Sequence, residues 1–369
     1  MLDYDNMRAQ RSFNWNATIL WHPLLEISGI SVSEYTKNPK AGVEVFSKKN
    51  RKRVYDMFEG RLREPAVSCP PISYGHLNSI GIDLVFPEGN GEVNYVHNDL
   101  SMDECIALFD RDIDYAKTGY VLKQMEYQKI LQEAYPGESV GLAFAAEGPI
   151  TEAYFLRDIN VYMDPYDQPE KLKILLDKIC DSVFKFKNAF AEYKGPGKSF
   201  TIYDDCAAQF SPWMWPEFVL PYWEKYFKAY TNDRRGVHCE DMKVEHLKFL
   251  EQINMTDYDP RISPALNPEN ITANTRVPFS WFFAPIYIHN IGLDEVEDFV
   301  FKAVADGAST LFTHVSADMI DDLSVKKVLK FIDTCETVKD IFKKGGTRCD
   351  LLTQVSEKGK IKFWSKWPK

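Results

Sequence analysis

The sequence predicts an α/β fold, specifically a (β/α)8 TIM barrel. Three observations carry the prediction. From about Glu64 onward, short β-rich runs alternate with long amphipathic helical patterns, the order that builds right-handed βα units around a parallel sheet. A length of 369 residues suits one large barrel with extensions. Acidic and imidazole side chains recur at the predicted strand ends, and no GxGxxG follows an early strand as a doubly wound dinucleotide-binding sheet would require.

Residues 1–48 contain the apolar clusters Ile19-Leu20-Trp21 and Leu24-Leu25 and precede the alternation, so they read as an N-terminal extension. The barrel is expected over 49–342. Candidate strands are Ala66–Cys69, Val140–Ala146, Phe200–Asp204, Gly236–Glu240, Met255–Asp259, Phe279–Ala284 and Thr310–Val315, with one more missed. Among the helices, Ser101 with Glu104 makes a capping box ahead of a run ending near Tyr135. Pro169 sits at a first helical turn, followed by Leu172, Leu175, Leu176, Ile179, Val183, Phe186 and Phe190 at helical spacing. Val244, Leu247, Leu250 and Ile253 form another stripe, as do Val296, Phe299, Val300, Ala303 and Val304 before a stop at Gly307. Residues 343–369 are basic and read as a C-terminal β-hairpin tail, Leu351–Val355 and Ile361–Ser365 around Lys358-Gly359-Lys360.

Hydrophobic residues at 45% are ample for a buried core, and a net charge of −10 argues against a nucleic-acid partner. No apolar run approaches the roughly 20 residues of a membrane helix, and Met1–Gln10 lacks a signal-peptide pattern. Seven scattered cysteines without a CxxC pair fit free thiols. A cytoplasmic enzyme without membrane or nucleic-acid partners is expected.

Catalytic groups of a βα barrel come from the ends of several strands at one face. Those ends carry Glu147, Asp204, Asp205, His238, Glu240, Asp259 and His314. His238 and Glu240 are two apart on a strand and so share a face; burying them requires hydrogen bonds or a metal. With His314 they would make a catalytic zinc set with an open position; an ordinary hydrogen-bonded network in a polar barrel mouth is the alternative. Cys239 points to the opposite side. Of Asp204 and Asp205, candidate general bases, only one can face the site. Glu147 stands at a strand-to-turn junction, fit for substrate contact or for capping the next helix. Tyr154, Trp213, Trp215, Trp281 and Phe282 are candidates to line a pocket for a flat, apolar substrate, or else core.

From about Lys48 to Lys339 the chain resembles the uroporphyrinogen decarboxylase superfamily. The resemblance rests on the segment 52–61 (KRVYDMFEGR), on 80–86 (IGIDLVF), on Glu147-Gly148-Pro149-Ile150-Thr151, on Ser211-Pro212 with Glu217-Phe218 and Pro221-Tyr222, and on Val237-His238-Cys239-Glu240, in the family's order. The family's arginine-bearing Arg-Gln-Ala-Gly-Arg segment has no counterpart in Pro65–Gly75, and the decarboxylase's catalytic Asp is missing before Ile80. The resemblance is therefore to the cobalamin-dependent methyltransferase branch, whose zinc is held by His-x-Cys and a late Cys. Glu240 and His314 stand in this frame where the cysteines would be. A harder donor set suits an oxygen substrate and implies the enzymes that demethylate methyl ethers, including methoxylated aromatics. Their Glu…Glu…His pattern makes Glu217 an alternative to His314 as a ligand beside His238 and Glu240. The resemblance implies zinc, and a cobalamin (corrinoid) supplied free or on a separate corrinoid-binding protein. A decarboxylase or lyase of the same fold, with Arg157, Arg234 and Arg235 as its available arginines, and a non-catalytic corrinoid- or metal-binding protein are the other readings.

Overall fold

The computed structural model describes residues 2–10, 13–190 and 196–364. Its strands in chain order are β1 (Asn14–Ile19), β2 (Leu84–Val85), β3 (Asn94–Tyr95), β4 (Gly197–Tyr203), β5 (Thr231–His238), β6 (Asp257–Asp259), β7 (Ser280–Phe282) and β8 (Thr310–Val315). The chain forms two compact units. One comprises Met1–Ile27, Lys48–Pro65 and Gly236–Lys369; the other comprises Ser28–Ser47 and Ala66–Arg235.

In the first unit every strand pairing is parallel. Gly236–His238 of β5 pairs with β6, a single bridge from Tyr258 to Phe279 leads to β7, β7 pairs with β8, and β8 pairs with β1 from Asn14–Thr310 to Ile19–Val315. Along β8, Leu311, Thr313 and Val315 are buried on one face while Phe312 and His314 share the other, as the two-residue strand period requires. The helix Glu295–Ala305 buries Val296, Phe299, Val300, Ala303 and Val304. It stops at Gly307, whose φ of +124° favours glycine; a Cβ there would lie 1.9 Å from Thr272 Oγ1.

Two expectations for this unit need correction. Residues 14–19, placed outside the barrel, form a strand. Only Ala17 and Ile19 are buried along β1; the asparagines at 14 and 16 are depleted in strands, and β8 supplies the pairing. The C-terminal tail is helical at Arg348–Leu352 and Glu357–Lys362 instead of a β-hairpin. Thr347 accepts from the Asp350 amide and Ser356 from the Gly359 amide, and these caps override the β-propensity of the segment. Ser356 also donates to Asp298 and its amide bonds the same carboxylate at 2.7 Å. Ser365, the last residue of the expected hairpin, lies outside the described residues.

In the second unit the expected strands Ala66–Cys69 and Val140–Ala146 are joined only by parallel bridges, Ser68–Gly141 and Ile72–Phe144. The Gly148 amide donates to the Tyr203 carbonyl at the end of β4. The helix Pro169–Phe190 buries the predicted stripe from Leu172 to Phe186. The capping box at Ser101 and Glu104 forms, but the helix ends at Leu108 and a second runs Val121–Ala134. Asp110, Asp112, Asp114 and Gly119 lie between them, and such residues favour turns. Counted along the chain, β1 with the seven strands expected from sequence gives the eight βα positions of a TIM-barrel-like α/β fold.

Candidate functional site

The first unit gathers five polar side chains at the C-terminal ends of its parallel strands. Register places His238, the last residue of β5, beside Asp259, the last of β6. Their side chains meet at 2.9 Å, Asp259 Oδ2 to His238 Nδ1. His238 Nε2 lies 3.8 Å from Glu240 Oε1. Cys239 between them is fully buried, as predicted for a residue facing the other way. A carboxylate at Nδ1 fixes the ring's orientation and tautomer and turns Nε2 into the basic nitrogen.

The other oxygen of Asp259 has a separate task. Oδ1 accepts the backbone amide of Arg261 at 2.9 Å and stabilises a turn in which Arg261 takes a φ of +48°, uncommon for a non-glycine residue. The turn lays the Arg261 guanidinium over the Phe282 ring, 4.0 Å from its centroid, with Phe312 at 5.2 Å. Phe282 and Phe312 stack at 4.9 Å across the β7–β8 pair. Arg261 Nη2 then donates to His314 Nδ1 at 3.0 Å. Burial, followed by the charges of Arg261 and His238, pushes His314 down to about 4, so this imidazole is neutral at physiological pH with its proton on Nε2.

Two members of this cluster, Arg261 and Phe312, escape the sequence reading. Arg261 follows Pro260 in a loop and belongs to no periodic pattern; its one signal is its place just after a strand. Phe312 stands two before His314 and shares its face by alternation. Trp281 is buried on the opposite side of β7, edge-on to Trp364 at 5.4 Å. With Arg261, Leu266, Tyr287 and Trp364 it lines a small cavity. Phe282 is the candidate aromatic that meets the His314 ring, at 5.7 Å.

The remaining candidates lie in the second unit. Asp204 is fully buried. It accepts from the amides of Thr151 (2.7 Å) and Ile150 (3.4 Å) and from Trp223 Nε1 (2.6 Å), anchoring the start of the helix Pro149–Arg157. Burial pushes its carboxyl up to about 6, against these hydrogen bonds. Asp205 opens the short turn that follows. The Glu147 amide bonds Glu152 Oε1 at 3.2 Å, and Tyr154 packs on Tyr162 at 5.9 Å. Glu217 is half-exposed and pairs with Lys173 at 2.6 Å. Trp213 is exposed against Tyr166, and Trp215 is core, edge-on to Trp223 at 5.1 Å. Arg157 is held bidentately by Asp164, and Arg235 by Glu224 at 2.6 Å.

Among the described residues no three His, Cys, Asp or Glu side chains gather as a metal centre would gather them. Of the four expected ligands, His238 and Glu240 fit a cation: they are close, oxygen and nitrogen donors, and Asp259 orients the imidazole. His314 does not fit, because its Nδ1 accepts a hydrogen bond from the Arg261 guanidinium. Glu217 is engaged with Lys173.

A family model described as uroporphyrinogen decarboxylase (URO-D) matches residues 25–336. No curated protein matches the chain. Among solved structures, the fold is similar to a methyltransferase from Methanosarcina mazei, with a TM-score of 0.62 at 15% identity, covering 91% of this chain and 96% of that one.

Proposed function

The chain belongs to the uroporphyrinogen decarboxylase (URO-D) family, and on that premise we propose that it is a methyltransferase moving a methyl group from a methyl ether, a methoxylated aromatic, to the cobalt of a corrinoid. The observation that carries this reading is the His238–Asp259–Glu240 group at the strand ends. It offers nitrogen and oxygen and no thiolate, the donors suited to an ether or phenolate oxygen. The fold likeness to a methyltransferase supports the same class.

Demethylating an ether leaves the bonding electron pair on oxygen, so the site must neutralise an oxyanion as the carbon departs. His238, oriented by Asp259, is placed to deliver a proton or share a cation with Glu240 at that oxygen. A zinc held by His238 and Glu240 would supply Lewis-acid polarisation of the same oxygen. A corrinoid, carried by a partner protein or free, would supply the electron pair that accepts the methyl group. Phe282 and Phe312, stacked and buried beneath Arg261, make the apolar floor of the cluster. A decarboxylase acting on a polycarboxylate needs several cations in its site, and Arg157 and Arg235 are committed to Asp164 and Glu224.

The test is methyl transfer from 2-methoxyphenol to chemically reduced cobalamin, followed by the cobalamin spectrum. Turnover that His238→Ala abolishes while the helix content is unchanged is the expected result. Efficient methylation of a thiol, with no reaction of methoxyarenes, would overturn the assignment.

A further inference from the structure

Arg261 presents more hydrogen-bond donors than the protein uses. A guanidinium carries five N–H donors, and the one side-chain bond Arg261 makes among the described residues is Nη2 to His314. Asp259, the carboxylate nearest to it in sequence, gives one oxygen to His238 and the other to the Arg261 backbone amide. No carboxylate of the described residues forms an ion pair with the Arg261 side chain. The plane of the guanidinium is nonetheless fixed, by Phe282 beneath it and by a histidine whose acceptor nitrogen faces it. Arg261 is half-buried, and its backbone is held in a left-handed turn. A cation oriented in this way still has N–H donors to offer.

We propose that Arg261 is the anion-binding subsite of this cluster, and that the molecule it takes carries a carboxylate received by the guanidinium. The chemistry favours a carboxylate, because the planar fork of N–H groups matches two oxygens at once. The inference builds on the methyl-ether reading above, for it specifies which methoxyarenes the site selects: those bearing an acidic group on the ring. The role of Arg261 is recognition. His238 and Glu240 keep the chemistry at the ether oxygen.

The test separates binding from turnover. Calorimetric titration of the full-length protein with 4-methoxybenzoate and with its neutral counterpart, methyl 4-methoxybenzoate, measures the preference for charge. A charge-assisted pair should give the anion about 10- to 100-fold tighter binding. Arg261→Gln should erase the preference, and Arg261→Lys should retain part of it, since a point charge replaces the fork. Circular dichroism and the urea midpoint of each variant establish that the fold is intact, and Arg261→Lys keeps the charge should Arg261→Gln fail to fold. Equal affinity for acid and ester, no binding of the acid, or a preference unchanged in Arg261→Gln would overturn the subsite. Binding with the expected preference but no methyl transfer to reduced cobalamin leaves the subsite standing and overturns the methyltransferase reading.

Discussion

Replacing Asp204 by Asn tests whether this carboxylate anchors a helix or serves chemistry. Its folded carboxyl titrates at about 6 against an ordinary 3.8, because full burial outweighs the hydrogen bonds from Thr151, Ile150 and Trp223. A raised folded value means that the protonated side chain is the one folding prefers. The stabilisation is complete below pH 3.8 and is lost as pH rises through 6. The full shift corresponds to about 3 kcal/mol, of which roughly 1.5 kcal/mol is expressed at pH 4.8 and almost none at pH 7.5. Asparagine has no such titration, yet keeps one acceptor oxygen for the Thr151 amide. Urea unfolding of both proteins at the two pH values isolates the residue, since other titrating groups cancel in the comparison. The wild type should gain about 1.5 kcal/mol relative to Asp204→Asn on going to pH 4.8. A difference independent of pH would refute the reasoning.

Three further outcomes are expected. The purified protein should bind about one zinc per chain, measured by plasma emission, and His238→Ala should release it; a fully active preparation free of metal would count against His238 and Glu240 as ligands. Gly307→Ala should cost about 2 kcal/mol or more in urea unfolding, because the left-handed turn and the Thr272 hydroxyl leave no room for a Cβ. Burial alone would push Glu295 up, but hydrogen bonds from Lys358, Lys362 and the Gly292 amide bring it down to about 2. Its stabilisation is therefore present above pH 4.5 and lost as pH falls toward 2. Glu295→Gln should cost roughly 1 kcal/mol after allowance for the exposure of Lys358 and raise amide exchange in Glu357–Lys362.

The sequence showed most where side chains repeat with one period over a long stretch. Thr310–Val315 is a strand with the expected bounds because its residues are mostly β-branched or aromatic and Gly307 ends the preceding helix. The stripe from Leu172 to Phe186 was equally legible. β1 was not: its polar and apolar residues alternate, but the asparagines at 14 and 16 are poor strand formers and its partner strand lies at the far end of the chain. In the tail, Thr347 three residues before Asp350 is a capping signal present in the sequence, outweighed there by the branched residues that follow. At the site, His238, Glu240, Asp259 and His314 could be read as strand ends. Arg261 could not, because its position depends on a hydrogen bond from its own amide to Asp259, a tertiary detail without periodicity. Trp215 and Phe282 looked alike as aromatics near strand ends, and packing sends one into the core and the other beside His314.

The pairing of β1 with β8 has a bearing on how the chain is made. Asn14 leaves the ribosome about 300 residues ahead of Thr310, and at ordinary synthesis speeds that is an interval of roughly 15–60 s. Throughout it, one edge of β1 has no strand to accept its amides, so the segment Asn14–Ile19 is exposed to any other chain offering a parallel edge. Its two asparagines and modest apolar content now acquire a purpose: a more hydrophobic strand would pair better in the finished sheet and aggregate sooner while waiting for it. Thr18→Val, at an exposed position of the strand, should leave the folded protein at least as stable and lower its yield of soluble protein during rapid expression.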